Sequence, residues 1–200
     1  MKFAMTLVAV AALTTALGAQ AQVTGSLGGG SGSFLSLSDG GLDGGSVATL
    51  SGGTVYTASQ PSAAMPMGTV GSFLAAGSTA GPLATLSFAG TGVDYVSFLW
   101  GSPDTYNDLK VTTTGDVVTN FNTGGLMFAQ SNGNQAFAQY VQFSATGGSK
   151  ITSLSFTNAP QMNAFEVANF SITPVPEAQT YAMLLAGLGA VMFVGARRRD

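Results

Sequence analysis

The chain has 200 residues, of which only 8% are charged, and it contains neither cysteine nor histidine. The absence of both residue types excludes a cysteine nucleophile, a histidine-based catalytic triad, a structural zinc site and a disulfide framework. Six basic against nine acidic residues provide no basic patch to neutralise phosphates, so we expect no nucleic-acid partner. A carboxylate- or hydroxyl-based site, a binding surface or a structural module remains, in one domain of ordinary size.

Residues 1–21 are predicted to be a secretory signal peptide. Lys2 provides the positive start, and residues 3–17 are apolar and uncharged. Ala19 and Ala21 then form the small-x-small pattern that signal peptidase accepts. We therefore expect cleavage after Ala21, and the alternative is a permanent N-terminal anchor helix.

Residues 22–173 are the predicted exported domain, with seven acidic residues and two lysines. Because the chain has no cysteine, it cannot form disulfide bonds even in an oxidising compartment. A hydrophobic core must therefore hold the domain together. The Gly/Ser-rich residues 24–33 predict a flexible leader, or loops around a short strand at 34–37. Residues 39–45 faintly resemble a calcium-binding Gly/Asp repeat, but a single copy favours a solvated turn.

From residue 83 onward the pattern is typical of strands. Val96, Phe98 and Trp100 share one face, because successive side chains of a strand point to opposite sides. Residues 114–116 indicate a hairpin-like turn. Strands at intervals of roughly ten residues, with no helical period, predict an all-β fold, namely an antiparallel β-sandwich. The predicted strands are 83–88, 93–100, 109–113, 117–121, 137–143, 150–156 and 164–173.

A polar and aromatic cluster follows the strongest predicted strand. Carboxylate and amide oxygens suit Ca²⁺, and aromatic faces stack on sugar rings, so the cluster is a candidate calcium or sugar site. The competing interpretation is that Asp104 helps to open a turn, Trp100 fills the core and the other polar groups bond to local backbone. The candidate residues are Trp100, Asp104, Tyr106, Asn107 and Asp108.

No arrangement of residues predicts catalysis. The spacing of the acids singles out no glycosidase-like pair. The sequence also contains neither a phosphate-binding loop nor a Gly-x-Ser-x-Gly elbow. We therefore expect no enzymatic activity, no catalytic residue and no resident cofactor, with calcium as the one candidate ion.

The uncharged segment 178–196 predicts a transmembrane helix. Its 19 residues would extend roughly 28 Å at about 1.5 Å per residue, close to the thickness of a hydrocarbon core. Clustered arginines stay on the cytoplasmic side, so the preceding domain is expected outside the inner membrane. The cluster that follows the segment consists of Arg197, Arg198 and Arg199.

A Pro-Glu motif, Val175, Pro176 and Glu177, stands immediately before this segment. The order of Pro-Glu motif, apolar helix and arginine cluster over residues 174–200 resembles the PEP-CTERM sorting signal of Gram-negative bacteria. The resemblance implies that an exosortase, an integral membrane protein with a cysteine nucleophile, cuts near the motif and releases the protein from its anchor. The usual tripeptide is Pro-Glu-Pro, whereas Ala178 follows here. The alternative is a permanent tail anchor.

Two further stretches carry resemblances. Residues 100–107 (WGSPDTYN) are similar to a Trp-Gly-Ser-x-Asp-x-Tyr-Asn pattern in exosortase-dependent surface proteins, which implies membership of that group and no activity. Residues 163–170 resemble the closing strand of jelly-roll surface modules, which often read Phe-Glu-Ile-Asp-Asn, and imply a jelly-roll-like sandwich. Ala168 stands where those modules carry a candidate calcium-binding Asp, which leaves Glu166 and Asn169 as possible ligands.

These observations predict an exported protein that is transiently anchored by its C-terminal segment and then released to the cell surface or the extracellular matrix. We expect a structural or adhesive role. Because the resembling sorting system accompanies exopolysaccharide gene clusters, a biofilm exopolysaccharide is the expected partner. The alternatives are a carbohydrate- or calcium-binding module and a permanently membrane-anchored surface protein.

Overall fold

The computed structural model describes residues 22–30 and 33–173. The predicted signal peptide at 1–21 and the segment 174–200, with its predicted transmembrane helix, lie outside the described residues. Within the described part of the chain, no helix is long and apolar enough to cross a membrane. That part forms thirteen strands and two 3₁₀ turns, and it contains no α-helix.

The strands follow one another with short connections. The first six are β1 (Gln22–Leu27), β2 (Leu37–Ser38), β3 (Gly41–Leu42), β4 (Ala48–Gly52), β5 (Thr54–Tyr56) and β6 (Phe73–Ala76). The other seven are β7 (Leu83–Phe88), β8 (Tyr95–Gly101), β9 (Asn107–Thr113), β10 (Val117–Asn122), β11 (Ala138–Thr146), β12 (Ile151–Asn158) and β13 (Phe165–Ser171). The 3₁₀ turns are Asp43–Gly45 and Ser78–Ala80.

The strands form two antiparallel sheets. Sheet A has the order β1-β11-β8-β13-β6-β5, and sheet B has the order β10-β9-β12-β7-β4-β3-β2. From β6 to β9 the chain passes from one sheet to the other at every strand, and β11, β12 and β13 alternate in the same way. The predicted all-β, antiparallel fold class is confirmed by these pairings.

The main hydrophobic core lies between the inner faces of the two sheets. Phe98 of sheet A meets Phe156 of sheet B edge to face, with ring centroids 5.5 Å apart. Trp100 stacks on Phe165 at 4.2 Å. Val96, Phe98 and Trp100 all belong to this core, whereas the residues between them do not, so the predicted shared face is confirmed. Aromatic pairs of this kind stabilise a core beyond the area that they bury.

The outer face of sheet A is also covered, by the loop 57–72, which we call the cover loop. Its residue Ala63 belongs to a second small apolar cluster with Phe73, Ala75 and Ala168 of the outer face. As a result every residue of β13 is buried, on both faces of the strand. A strand buried on both faces is expected to read as a nearly continuous apolar run, and the polar exceptions in β13 therefore need partners.

The strand predictions succeed from residue 83 onward, and β7 has the bounds that the sequence predicted. The strand expected at 34–37 is wrong except at its last residue, because the strand there is Leu37–Ser38. The Gly/Ser-rich start contains β1, which pairs with β11. Strands β3 to β6 have no counterpart among the predictions, because their Gly-, Ser- and Ala-rich residues have no clear period of two.

Candidate functional site

A polar pocket lies where β8 and β13 end next to each other. Gly101 of β8 is the register partner of Glu166 in β13, and the chain then turns through 102–106 towards β9. Ser102, at the start of this turn, has a positive φ of 33°. Its Oγ donates a hydrogen bond of 2.7 Å to Oε2 of Glu166. The turn and the closing strand are thus joined by a buried side-chain contact.

Glu166 lies on the outer face of sheet A, beneath the cover loop, and is only 3% exposed. Its second carboxylate oxygen, Oε1, accepts the backbone N–H of Ala64 in the cover loop at 3.0 Å. The pocket beside it has a volume of about 50 Å³. Sites for drug-sized ligands typically have some 300–1,000 Å³, so this pocket suits water molecules or a single ion. Its polar lining includes Ser62, Ser102, Asp104, Gln135, Asn163 and Glu166.

The protonation of Glu166 is set mainly by its burial. Burial raises the pKa of the Glu166 carboxyl to about 7 from an ordinary 4.5, and the negative charge of Asp104 adds to the rise. The hydrogen bonds from Ser102 and Ala64 act in the opposite direction, because they stabilise the carboxylate. The one ion pair in the described part of the chain joins Lys150 to Asp94 and does not involve Glu166. Glu166 therefore exchanges its proton near neutral pH.

Asp104, which lines this pocket, forms a hydrogen-bonded pair with Tyr106. The Tyr106 hydroxyl donates a hydrogen bond of 2.5 Å to Oδ2 of Asp104. Burial, and then this hydrogen bond to a carboxylate, raise the pKa of Tyr106 above its ordinary value. The phenol therefore stays protonated at physiological pH and serves as a hydrogen-bond donor.

Trp100 and Asn107, two other candidates from the sequence, belong to a buried network. The indole Nε1–H of Trp100 donates to Asn107 Oδ1 at 3.2 Å, and the same oxygen accepts the Asp104 backbone N–H at 2.8 Å. The Asn107 amide in turn donates to Asn158 at 2.9 Å. Because Trp100 is fully buried, its indole presents no face to a sugar in this structure.

Asp108, the fifth candidate, lies apart from the others. It follows Asn107 in β9, so its side chain is on the opposite, outer face of sheet B. Its register partners there are Asn122 and Thr157. The structure thus brings Asp104 to the pocket, with Tyr106 hydrogen-bonded to it, and Trp100 and Asn107 to the core network. Among residues 22–30 and 33–173, no group of three or more Asp or Glu side chains is arranged to hold a metal ion.

Asn169 is the second polar exception in β13, and it also holds the cover loop. Its Oδ1 accepts the Val70 backbone N–H at 2.7 Å, and its amide donates to the Gly68 carbonyl at 2.8 Å. The same amide donates to the Tyr140 hydroxyl at 2.8 Å. Asn169 has a positive φ of 53°, a conformation that Asn tolerates better than most residues. Glu166 and Asn169 thus fasten the cover loop at two points.

Sequence reasoning named Glu166 and Asn169 but not their partners. Ser102 and Ala64 are 64 and 102 positions away from Glu166, too far for any local pattern to show. One indication was present, namely that Glu166 is the one charged residue in the closing strand. Charged residues are rarely fully buried without a partner.

Comparison with known proteins identifies the segment that follows this domain. Residues 174–199 match the family described as the PEP-CTERM protein-sorting motif. The chain therefore carries a PEP-CTERM sorting motif directly after the two-sheet domain, as its Pro-Glu pair, apolar stretch and arginines predicted. This motif implies export, C-terminal membrane anchoring and processing by an exosortase. No curated protein and no solved structure matches the chain.

Proposed function

We propose that the chain is an exported surface or matrix protein whose C-terminal motif anchors it in the inner membrane until an exosortase releases the folded domain. The observation that carries this proposal is the position of the motif. It begins at residue 174, and the last strand of the two-sheet domain ends at Ser171. A folded domain and a sorting segment thus follow each other with almost no linker.

The proposed sequence of events follows from charge and hydropathy. The signal peptide starts translocation and is removed after Ala21. The segment 178–196 then stops translocation, and its arginines stay on the cytoplasmic side. This arrangement presents Pro176 and Glu177 at the outer face of the membrane, where cleavage releases the domain to the cell surface or the medium.

We propose a structural or adhesive role for the released domain, in contact with a biofilm exopolysaccharide, and no enzymatic activity or resident cofactor. Two observations favour a structural role over the alternative of a carbohydrate-binding module. Trp100 and Asn107 are buried inside the domain, and the pocket around Glu166 has a volume of only about 50 Å³. The alternation of strands between sheets A and B supports a jelly-roll-like sandwich.

The test is to express the full chain with the processing enzyme present and to measure the intact mass of the material in each cellular fraction. Wild-type protein is expected outside the cell without the segment 178–196. A Glu177→Ala variant is expected to accumulate as an anchored precursor. Ala178→Pro, which restores the usual tripeptide, is the matched control and is expected to be processed at least as well. Release of wild-type protein with its arginines attached would refute the proposal.

A further inference from the structure

The two ends of the described domain emerge at the same end of sheet A. Gln22, the first residue of β1, is the register partner of Thr146 at the end of β11. Ser171, the last residue of β13, pairs with Ser97 near the start of β8. Three strand spacings separate β1 from β13, which is about 14 Å at the usual distance between strands.

We call this end of the domain the tail end. It also contains the turns 89–94, 114–116 and 147–150, and the Lys150–Asp94 ion pair joins two of them. The opposite end, which we call the pocket end, contains the turn 102–106 and the Glu166 pocket. The register fixes this arrangement, because Glu166 pairs with Gly101 at the finish of β8.

The chain can extend only a short distance beyond the tail end. Five residues lie between Ser171 and the sorting-motif residue Glu177, and the six steps from one to the other reach at most roughly 20 Å when fully extended. The pocket end is farther away, because β8 runs from Tyr95 to Gly101, which adds about 20 Å. A domain tethered in this way keeps its tail end near the tether.

We infer that the tail end is the surface that faces the membrane in the anchored precursor, and that the Glu166 pocket points away from the membrane. This inference rests on the proposed function, because it requires the segment 178–196 to be anchored. The position of Gln22 agrees with it, since the signal-peptide cleavage site then lies near the same membrane. Asp116 and the paired charges of Asp94 and Lys150 give the tail end no positive excess, so the tether rather than attraction to anionic lipid sets the orientation.

The chain contains no cysteine, which makes single-cysteine labelling unambiguous. Thr91 in the tail-end turn and Thr105 in the pocket-end turn are both exposed. Thr91→Cys and Thr105→Cys are therefore a matched pair of variants. Each variant is produced as residues 22–200, without the predicted signal peptide. It carries a fluorophore and is reconstituted in phosphatidylcholine vesicles that contain a headgroup nitroxide quencher.

Quenching is expected to be at least roughly twofold stronger at position 91 than at position 105, because about 20 Å separates the two ends. Versions truncated after Thr173 should show equally weak quenching at both positions. Equal or reversed quenching in the anchored protein would overturn the orientation and leave the sorting proposal intact. Failure of the full chain to remain with the vesicles would instead overturn the sorting proposal, and the orientation with it.

Discussion

Ser102 Oγ and Glu166 Oε2 are 2.7 Å apart, although the two residues are separated by 64 positions in the sequence. This hydrogen bond joins the turn that follows β8 to the closing strand. The other oxygen of Glu166 binds the cover loop through the Ala64 N–H. One carboxylate therefore connects three parts of the domain, and its ionisation affects all of them.

The stability of the domain should fall as the pH rises through neutrality, because of Glu166. Its pKa is about 7 in the folded protein against an ordinary 4.5, so folding favours the protonated form. The contribution is complete below about pH 4.5 and is lost as the pH rises through about 7. The shift corresponds to a change on the order of 3 kcal/mol. Urea unfolding measured between pH 4 and pH 8 checks this dependence.

Glu166→Gln should remove this dependence, because a carboxamide does not ionise between pH 4 and pH 8 and its oxygen can still accept the Ala64 N–H. The variant is expected to be more stable than the wild type at pH 8. Asp39→Asn, at an exposed acidic residue, is the control and should retain the wild-type pH profile. An unchanged profile in the Glu166 variant would show that this carboxylate is not responsible.

Asn107→Ala should destabilise the domain by about 3 kcal/mol, because it leaves two buried polar groups and one partly buried group without their partner. These groups are the Trp100 indole N–H, the Asp104 backbone N–H and the Asn158 amide oxygen. Asn120→Ala, at an exposed position of β10, should change stability by less than about 0.5 kcal/mol. Chemical denaturation of both variants gives the comparison. Similar losses at the two positions would argue against a buried network.

Asn169→Gly should loosen one end of the cover loop while it preserves the positive φ of that position, which Gly adopts without cost. The Val70 amide loses its acceptor, so its hydrogen exchange should accelerate by roughly tenfold. The Ala64 amide, which is bound to Glu166, should remain protected and is an internal control. Equal acceleration at both amides would mean that the cover loop opens as one unit.

Gly30→Ala should be more destabilising than Gly44→Ala, although both residues are in Gly-rich stretches. Both have a positive φ, 75° and 66°, so the backbone strain is similar. A methyl group on Gly30 would overlap the ring of Tyr140, whereas nothing lies within 4 Å of the corresponding position on Gly44. We expect a difference of about 1–3 kcal/mol in thermal or urea unfolding. Equal effects would show that residue 30 behaves as a free leader.

The fold was predictable where side chains alternate strongly. In β8, residues 96, 98 and 100 indicated their inward face without any knowledge of neighbouring strands. In contrast, β1 has few large apolar side chains, and its strand conformation depends on pairing with β11, some 120 residues later. No local pattern contains that information, because no hairpin turn joins β1 to β11 to fix their register.

The sequence predicted which residues of the candidate site are neighbours in the chain, but not which of them contact one another. The sequence placed Asp104 and Tyr106 together because they are two residues apart. It did not distinguish them from Trp100 and Asn107, which are hydrogen-bonded to each other in the core. The contact with Glu166 depends on the register between β8 and β13, which the sequence does not reveal. The cover loop has no periodic pattern of apolar residues, so its path over sheet A could not be predicted.

The last strand to be synthesised, β13, lies in the middle of sheet A, between β8 and β6. A chain that emerges with its N-terminal end first cannot complete this sheet until Ser171 has crossed the membrane. By then nearly the whole domain has been exported, and sheet A still lacks the strand between β8 and β6. No disulfide links the parts that are already outside. Sheet A therefore closes only when its last strand arrives, at the same stage of export at which the sorting motif that follows it reaches the membrane.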